Sequence, residues 1–235
     1  MGYNFGSHCA KQGKPMIVFI NNTNSDICAA IARKFLQHGH KTIVATRPAQ
    51  SSPWLQALAA EAGSALLPLE IDLNRRTEMD AALAQLPAEW RAIDVLVNQL
   101  EHAPSTGAAG AVADWGQMID HDCRSLVTLT HALLPAMIAR GSGLVINLDA
   151  GDATGPDPSI AAASGAFVAH FTLNLRADLV GTGVRNTHIG AGLQRGQSGD
   201  GAGPVSSADI AANVYWLATL PAHVNTNRLE LEQLA

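Results

Sequence analysis

The chain has 235 residues and a formal net charge of −5, with 15 basic and 20 acidic side chains. Its 47% hydrophobic content indicates a compact folded protein. The acidic balance excludes a general attraction for nucleic acid or an anionic membrane surface. No apolar run reaches the roughly 18 residues of a membrane span. The three cysteines have neither metal-ligand nor CxxC spacing, which indicates a reduced, cytoplasmic setting.

Short apolar runs alternate with longer helical patterns along the chain. Strands are predicted at residues 16–21, 42–46, 65–70, 95–98, 144–148, 184–189 and 228–231. Helices are predicted at residues 26–38, 53–62, 76–86, 115–140, 160–180 and 207–220. This alternation predicts one doubly wound, Rossmann-like α/β domain over residues 16–235, with a parallel sheet and helices on both faces. Residues 1–15 are predicted to be a flexible leader.

Three framework segments carry a family resemblance: LPAEWRAIDVLVN at residues 86–98, LNLRADLVGT at residues 173–182 and TLPAHVNTN at residues 219–227. Together with the order of elements, they resemble the short-chain dehydrogenase/reductase family, and within it the NADP-dependent 3-hydroxy acid (serine) dehydrogenases. The resemblance runs from about residue 16 to residue 231. It implies a dinucleotide site and a catalytic serine, tyrosine and lysine. Because a fold alone does not carry function, each site is compared separately.

The resemblance implies a glycine-rich TGxxxGxG turn after the first strand, where the backbone approaches a pyrophosphate. The three glycine positions hold Asn22, Asp26 and Cys28. A carboxylate about 4 Å from a phosphate repels it by about 4 kcal/mol near a protein surface, so we expect no useful dinucleotide binding. Alternatively, Ser25 or Asp26 caps the following helix. Cys28 has two possible roles. We favour packing in the core, and the alternative is a thiol whose pKa is lowered by the helix N-terminus.

The catalytic positions also depart from the family. The resemblance implies a serine after the fifth strand and a tyrosine and lysine four residues apart on the next helix, with the tyrosine as proton donor. Those positions hold Ala150, Ala161 and Gly165, and Asp122 replaces the relay asparagine of the family. The two tyrosines, Tyr3 and Tyr215, are distant in sequence, and no lysine follows Lys41. No catalytic residue is therefore predicted.

Three features of the family persist. Arg47, after the second strand, matches an arginine that binds a 2′-phosphate. Asp72 matches an acid that contacts adenine, and Asn98 begins the segment that corresponds to the family's NNAG motif. Each has a purely structural alternative, as a surface charge, a turn cap and a strand-end hydrogen-bonding residue respectively. We interpret them as vestigial cofactor positions.

These departures predict a pseudoenzyme without a cofactor. It would be a non-catalytic subunit of a homodimer or homotetramer, or of a hetero-oligomer with an active paralogue, associating through the helices at residues 115–140 and 160–180. One alternative is a small-molecule or cation binder with an acidic cleft lined by Asp26, Glu101, Asp122, Asp149 and Asp152. No metal-ligand spacing supports a metal site there. The other alternative is an NADP-dependent oxidoreductase with a non-standard site.

Overall fold

The computed structural model describes residues 14–21, 25–47, 52–100, 112–149, 158–191 and 205–232. Most of the predicted leader lies outside these ranges. Within them, seven parallel strands form one sheet in the order β3-β2-β1-β4-β5-β6-β7. The strands are β1 (Ile17–Ile20), β2 (Lys41–Thr46), β3 (Leu66–Glu70), β4 (Val95–Gln99), β5 (Gly143–Asp149), β6 (Val184–Ala191) and β7 (Arg228–Leu231).

Helices cover both faces of this sheet. They are α1 (Asp26–Gln37), α2 (Pro53–Ala62), α3 (Arg76–Ala84), α4 (Val112–Ile119), α5 (Ser125–Arg140), α6 (Pro158–Asp178) and α7 (Ser207–Thr219). Helices α1, α2 and α7 pack on one face, and α3, α5 and α6 pack on the other. The predicted doubly wound Rossmann-like α/β domain is therefore confirmed.

The strands are apolar along their length because both faces of the sheet are covered. In β1, Val18 and Ile20 pack in the core beneath α1 and α7, whereas Phe19 packs in the core beneath α5. All three side chains are fully buried. Side chains that alternate between two faces thus build two separate cores from one strand.

The predicted helix at residues 115–140 is interrupted. It consists of α4, a π-helical turn at Asp120–Arg124, and α5. The π-helical turn contains the polar residues His121 and Asp122, and Asp122 is only 1% exposed. Such turns occur frequently at functional sites.

Candidate functional site

A crevice is expected where the strand order reverses, at the carboxyl ends of β1 and β4. These two strands are neighbours in the sheet, although β2 and β3 lie between them in the chain. Connections that leave neighbouring strands in opposite directions open a cleft at the strand ends, where parallel α/β sheets bind ligands. At this edge, Asn21 directly follows β1. Asn98 and Asn147 lie near the carboxyl ends of β4 and β5.

A buried chain of side-chain hydrogen bonds crosses the sheet below the crevice. Asn21 Nδ2 donates to Asn98 Oδ1 at 3.1 Å, and Asn98 Nδ2 donates to Asn147 Oδ1 at 2.8 Å. Asn147 Nδ2 then donates to Thr172 Oγ1 on α6 at 2.8 Å. Asn98 also donates to Thr130 on α5 at 3.0 Å. Because buried amides need partners, this chain ties both helices to the strand ends.

The first turn of α1 is capped by Ser25. Its Oγ accepts from the backbone N–H of Cys28 at 3.1 Å and donates to Gln99 Oε1 at 2.8 Å. Asp26 is an exposed residue of that first turn. Of the two residues predicted as alternatives for the helix cap, Ser25 is therefore the one that caps α1. Asn22, the first of the three substituted glycine positions, lies outside the described residues.

Cys28 is a packing residue. Its side chain is fully buried in the core beneath α1, and its Sγ donates to Gln99 Oε1 at 2.8 Å. Burial raises the pKa of the thiol to about 12, and the hydrogen bond from Ser25 opposes this only partly. The alternative of an activated thiol at the helix N-terminus is therefore wrong, because desolvation outweighs the field of the helix.

Arg47 lies at a polar corner beyond the end of β2. Its Nη1 donates to Nε2 of His121, 3.2 Å away, and Nδ1 of His121 contacts the side-chain amide of Asn74 at 3.3 Å. Asp72 accepts from the backbone N–H of Asn74 at 3.0 Å. Burial and then the charge of Arg47 lower the pKa of His121, against the opposing carboxylates of Asp120 and Asp72. A neutral imidazole thus faces a half-buried guanidinium.

One of the catalytic positions of the family, Gly165, lies against the carboxylate of Asp149. Ala150 lies outside the described residues, and only the backbone of Ala161 is described, within α6. Gly165 is buried on α6. A Cβ atom added there would overlap Oδ2 of Asp149 and lie 3.2 Å from its Cγ. The carboxylate of Asp149 therefore fills the space that a side chain at position 165 would need.

The predicted acidic cleft is only partly described. Glu101 and Asp152 lie outside the described residues, Asp26 is exposed, and Asp122 is buried within the π-helical turn. In the described ranges, no three histidine, cysteine or acidic side chains gather closely enough to hold a metal ion. The same ranges contain no helix long and apolar enough to cross a bilayer.

Sequence reasoning missed two features of this site. It did not pair His121 with Arg47, and it did not pair Asp149 with Gly165. The signal for the second was present, because a glycine inside a long helix indicates close approach by another group. No sequence pattern could show that His121 meets Arg47, since the two are 74 positions apart.

The fold and site define a member of the short-chain dehydrogenase/reductase family. Residues 22–222 match the family model described as enoyl-(acyl carrier protein) reductase. The chain is 37% identical over 238 residues to the NADP-dependent 3-hydroxy acid dehydrogenase of Escherichia coli K12, covering 92% of this chain and 94% of that protein. It is 36% identical over 233 residues to the serine 3-dehydrogenase of Agrobacterium fabrum, covering 91% and 92% respectively.

Solved structures agree with these relatives. A crystal structure of serine dehydrogenase from Escherichia coli superposes with a TM-score of 0.79 at 38% identity, covering 92% of this chain and 97% of that one. The closed form of a serine dehydrogenase complexed with NADP⁺ also gives 0.79, at 35% identity, covering 92% of this chain and 94% of that one.

These relatives correct the prediction of an inactive, cofactor-free pseudoenzyme. That prediction is wrong, because relatives over nearly the whole chain are named as dehydrogenases, one of them as NADP-dependent, and one solved relative is complexed with NADP⁺. The physical error concerns Asp26. Asp26 is exposed, so water and salt screen its charge and weaken its repulsion of a nearby phosphate.

Proposed function

We propose that this protein is an NADP-dependent oxidoreductase that oxidises the hydroxyl group of a small 3-hydroxy acid, with a proton acceptor other than the family's tyrosine. The observation that carries the proposal is the corner formed by Arg47 and His121 at the end of β2. The relatives named above support the reaction class. NADP⁺, when bound, would supply the hydride acceptor.

The described residues fit the adenosine end of NADP. The guanidinium of Arg47 and the imidazole of His121 can both donate to the oxygens of a 2′-phosphate. Asp72 lies beside this corner, where its carboxylate can accept from the adenine amino group. In the sheet below, the buried amides of Asn21 and Asn98 support the strand ends that the dinucleotide would cross. The pyrophosphate contact differs from that of the family, because no glycine remains at positions 22, 26 and 28.

Asp149 is the proton acceptor in this proposal. It ends β5 and precedes Ala150, the position that matches the substrate-orienting serine of the family. Its carboxylate lies against Gly165, the position that matches the lysine. NADP⁺, when bound, would accept the hydride from the hydroxyl-bearing carbon. The carboxylate of Asp149 would accept the hydroxyl proton as the hydroxyl becomes a carbonyl, so atoms and electrons balance.

The experiment measures NADPH production from 3-hydroxypropanoate and from serine by absorbance at 340 nm. We expect turnover by the unmodified protein. A positioned general base contributes about 10²- to 10⁴-fold, so Asp149→Asn should lower kcat by at least about 100-fold while leaving the Kd for NADPH within about threefold. Asp178→Asn, which changes an exposed carboxylate at the end of α6, is the control.

The two parts of the proposal fail separately. If Asp149→Asn and Asp178→Asn turn over equally, Asp149 is not the proton acceptor, although the oxidoreductase proposal stands. If the unmodified protein forms no NADPH from any small 3-hydroxy acid, the oxidoreductase proposal is rejected.

We further propose that the protein is a homo-oligomer that associates through α5 and α6. Large apolar side chains are exposed on these helices: Ile138 is 40% exposed on α5, and Phe167 and Leu173 are 43% and 54% exposed on α6. Ala162 and Ala166 on α6 are also exposed, so they leave room for a partner helix. Exposed apolar surface of this kind marks interaction sites. A reduced cytoplasmic compartment is supported by Cys28 and Cys123, which are both free thiols.

A further inference from the structure

A cavity lies away from the cofactor corner, between α6 and the outer strands β6 and β7. Its volume is about 160 Å³. This is close to the roughly 150 Å³ of an engineered protein cavity that accepts benzene, so it holds a ligand body of about six heavy atoms. The residues that matter here are Ala169, Leu173, Arg176, Asn186, His188 and Arg228.

Two of the polar side chains that line the cavity are buried with unused hydrogen-bonding atoms. His188 is 5% exposed, and neither of its ring nitrogens has a hydrogen-bond partner in the part of the chain that the structure describes. Asn186 is 2% exposed; its Nδ2 donates to the backbone oxygen of Thr172 at 2.8 Å, but its Oδ1 has no partner there. Buried polar atoms in folded proteins almost always have partners, so these atoms are available to bind a polar group in the cavity.

The charges around His188 determine its protonation. Burial lowers its pKa, with a smaller contribution from Arg228, whereas the carboxylates of Asp149 and Glu230 act in the opposite direction. His170 and Arg176 line the same cavity from α6. The imidazole is therefore neutral at pH 7, with one N–H donor and one nitrogen acceptor. With Asn186 Oδ1, the cavity offers two acceptors and one donor. A hydroxyl group can donate to one of these acceptors and accept from the donor.

The other lining residues have a different chemistry. Ala169 and Leu173 provide apolar surface. Arg176 is exposed, and no ion pair or side-chain hydrogen bond engages it among the residues that the structure describes. Arg228, the other arginine of the cavity, forms an ion pair with Glu230. An arginine without a partner beside an apolar cavity suits a carboxylate.

We propose that this cavity is a second binding site, separate from the cofactor site, for a small hydroxy acid whose hydroxyl contacts His188 and Asn186 and whose carboxylate contacts Arg176. The apolar body of the ligand packs against Ala169 and Leu173. The site does not depend on the oxidoreductase proposal, because it uses neither Arg47 nor the cofactor.

The test uses 4-hydroxybenzoate, which combines a hydroxyl, an apolar ring and a carboxylate but has no alcohol carbon to oxidise. Binding to the full chain is measured by calorimetry without any dinucleotide, and the His188 ring resonances are followed by NMR. We expect saturable one-to-one binding that shifts the His188 resonances. Benzoate, without the hydroxyl, and phenol, without the carboxylate, should each bind at least about tenfold more weakly, as expected for loss of one charged or buried hydrogen bond.

Two variants test the two ends of the ligand. Arg176→Gln should weaken 4-hydroxybenzoate about tenfold or more and leave phenol unchanged, whereas Arg33→Gln, which changes an exposed arginine on α1, should alter neither. His188→Gln should weaken both probes. Because Arg176 is a surface residue, its variant tests the site even if His188→Gln fails to fold. The proposal is overturned if 4-hydroxybenzoate does not saturate at millimolar concentration, or if Arg176→Gln binds it as the unmodified protein does.

Discussion

The carboxylate of Asp149 lies against α6 at Gly165, in the space that any larger side chain at position 165 would occupy. Asp149 ends β5, and Gly165 is buried in the helix that follows. A glycine in a helix interior costs roughly 1 kcal/mol of stability relative to alanine, so its presence at position 165 needs a reason. The reason is that glycine leaves room for the carboxylate of Asp149. The glycine at the position of the family's lysine and the carboxylate of Asp149 thus occupy one space together.

This pairing predicts a coupling between the two positions. Gly165→Ala should stabilise the Asp149→Ala variant by about 1 kcal/mol, because only the helix propensity then changes. In the unmodified protein the same substitution should be neutral or destabilising, because the new methyl group displaces the carboxylate. Urea unfolding of the four proteins gives the coupling energy, expected to be at least about 0.5 kcal/mol. Equal effects of Gly165→Ala in both backgrounds would show that the two residues do not compete for space.

The sequence was sufficient for the fold but only partly for the site. Alternation of apolar strands with helices located all seven strands, because strands covered on both faces are apolar throughout. The roles of single side chains depended on exposure, which the pattern of residue types does not give. Asp26 was taken as a barrier to phosphate, yet it is exposed to water. Conversely, His121 is a candidate cofactor-binding residue because its ring contacts Arg47, and only the tertiary structure brings these two residues together.

The corner at Arg47 predicts a pH dependence of cofactor choice. Burial and Arg47 lower the pKa of His121 in the free protein, against Asp120 and Asp72, so the ring is neutral at pH 8. A bound 2′-phosphate would favour the imidazolium and raise that pKa, so NADPH binding takes up a proton. The affinity for NADPH should therefore rise relative to that for NADH as the pH falls from 8 to 6.5.

The control for this pH dependence is His121→Gln, which keeps a polar side chain but cannot titrate in this range. The ratio of the two Kd values should then be nearly independent of pH. A ratio that changes equally in the variant would assign the proton uptake to another group.

Cys28 predicts a reactivity pattern. Its thiol is fully buried, with a pKa raised to about 12, so the reactive thiolate is scarce at pH 7.5 in the folded protein. In a variant that carries Cys9→Ser and Cys123→Ser, maleimide labelling should therefore be slow and should accelerate to the rate of a free thiol in denaturing urea. Rapid labelling of Cys28 under native conditions would contradict its assignment as a packing residue.

The proposed interface predicts which substitutions dissociate the oligomer. Ala166→Glu places a long charged side chain among the exposed apolar residues Phe167 and Leu173 of α6, where a partner helix would have to desolvate it. We expect dissociation to monomers in light scattering at micromolar concentration. Glu61→Gln, an exposed change on α2, should leave the assembly intact. A protein that is monomeric before any substitution would contradict the proposed interface.

The proposed function requires that a chain without the glycine-rich turn binds NADP through Arg47. Isothermal titration calorimetry of the unmodified protein with NADPH and NADH tests it most directly. We predict saturable binding of NADPH at least about tenfold tighter than that of NADH. Arg47→Gln should remove this preference, because a charged hydrogen bond contributes about 1.5–3 kcal/mol. Arg76→Gln, an exposed arginine on α3 paired with Asp80, should not. Absence of saturable NADPH binding at millimolar concentration would show that this chain does not use NADP.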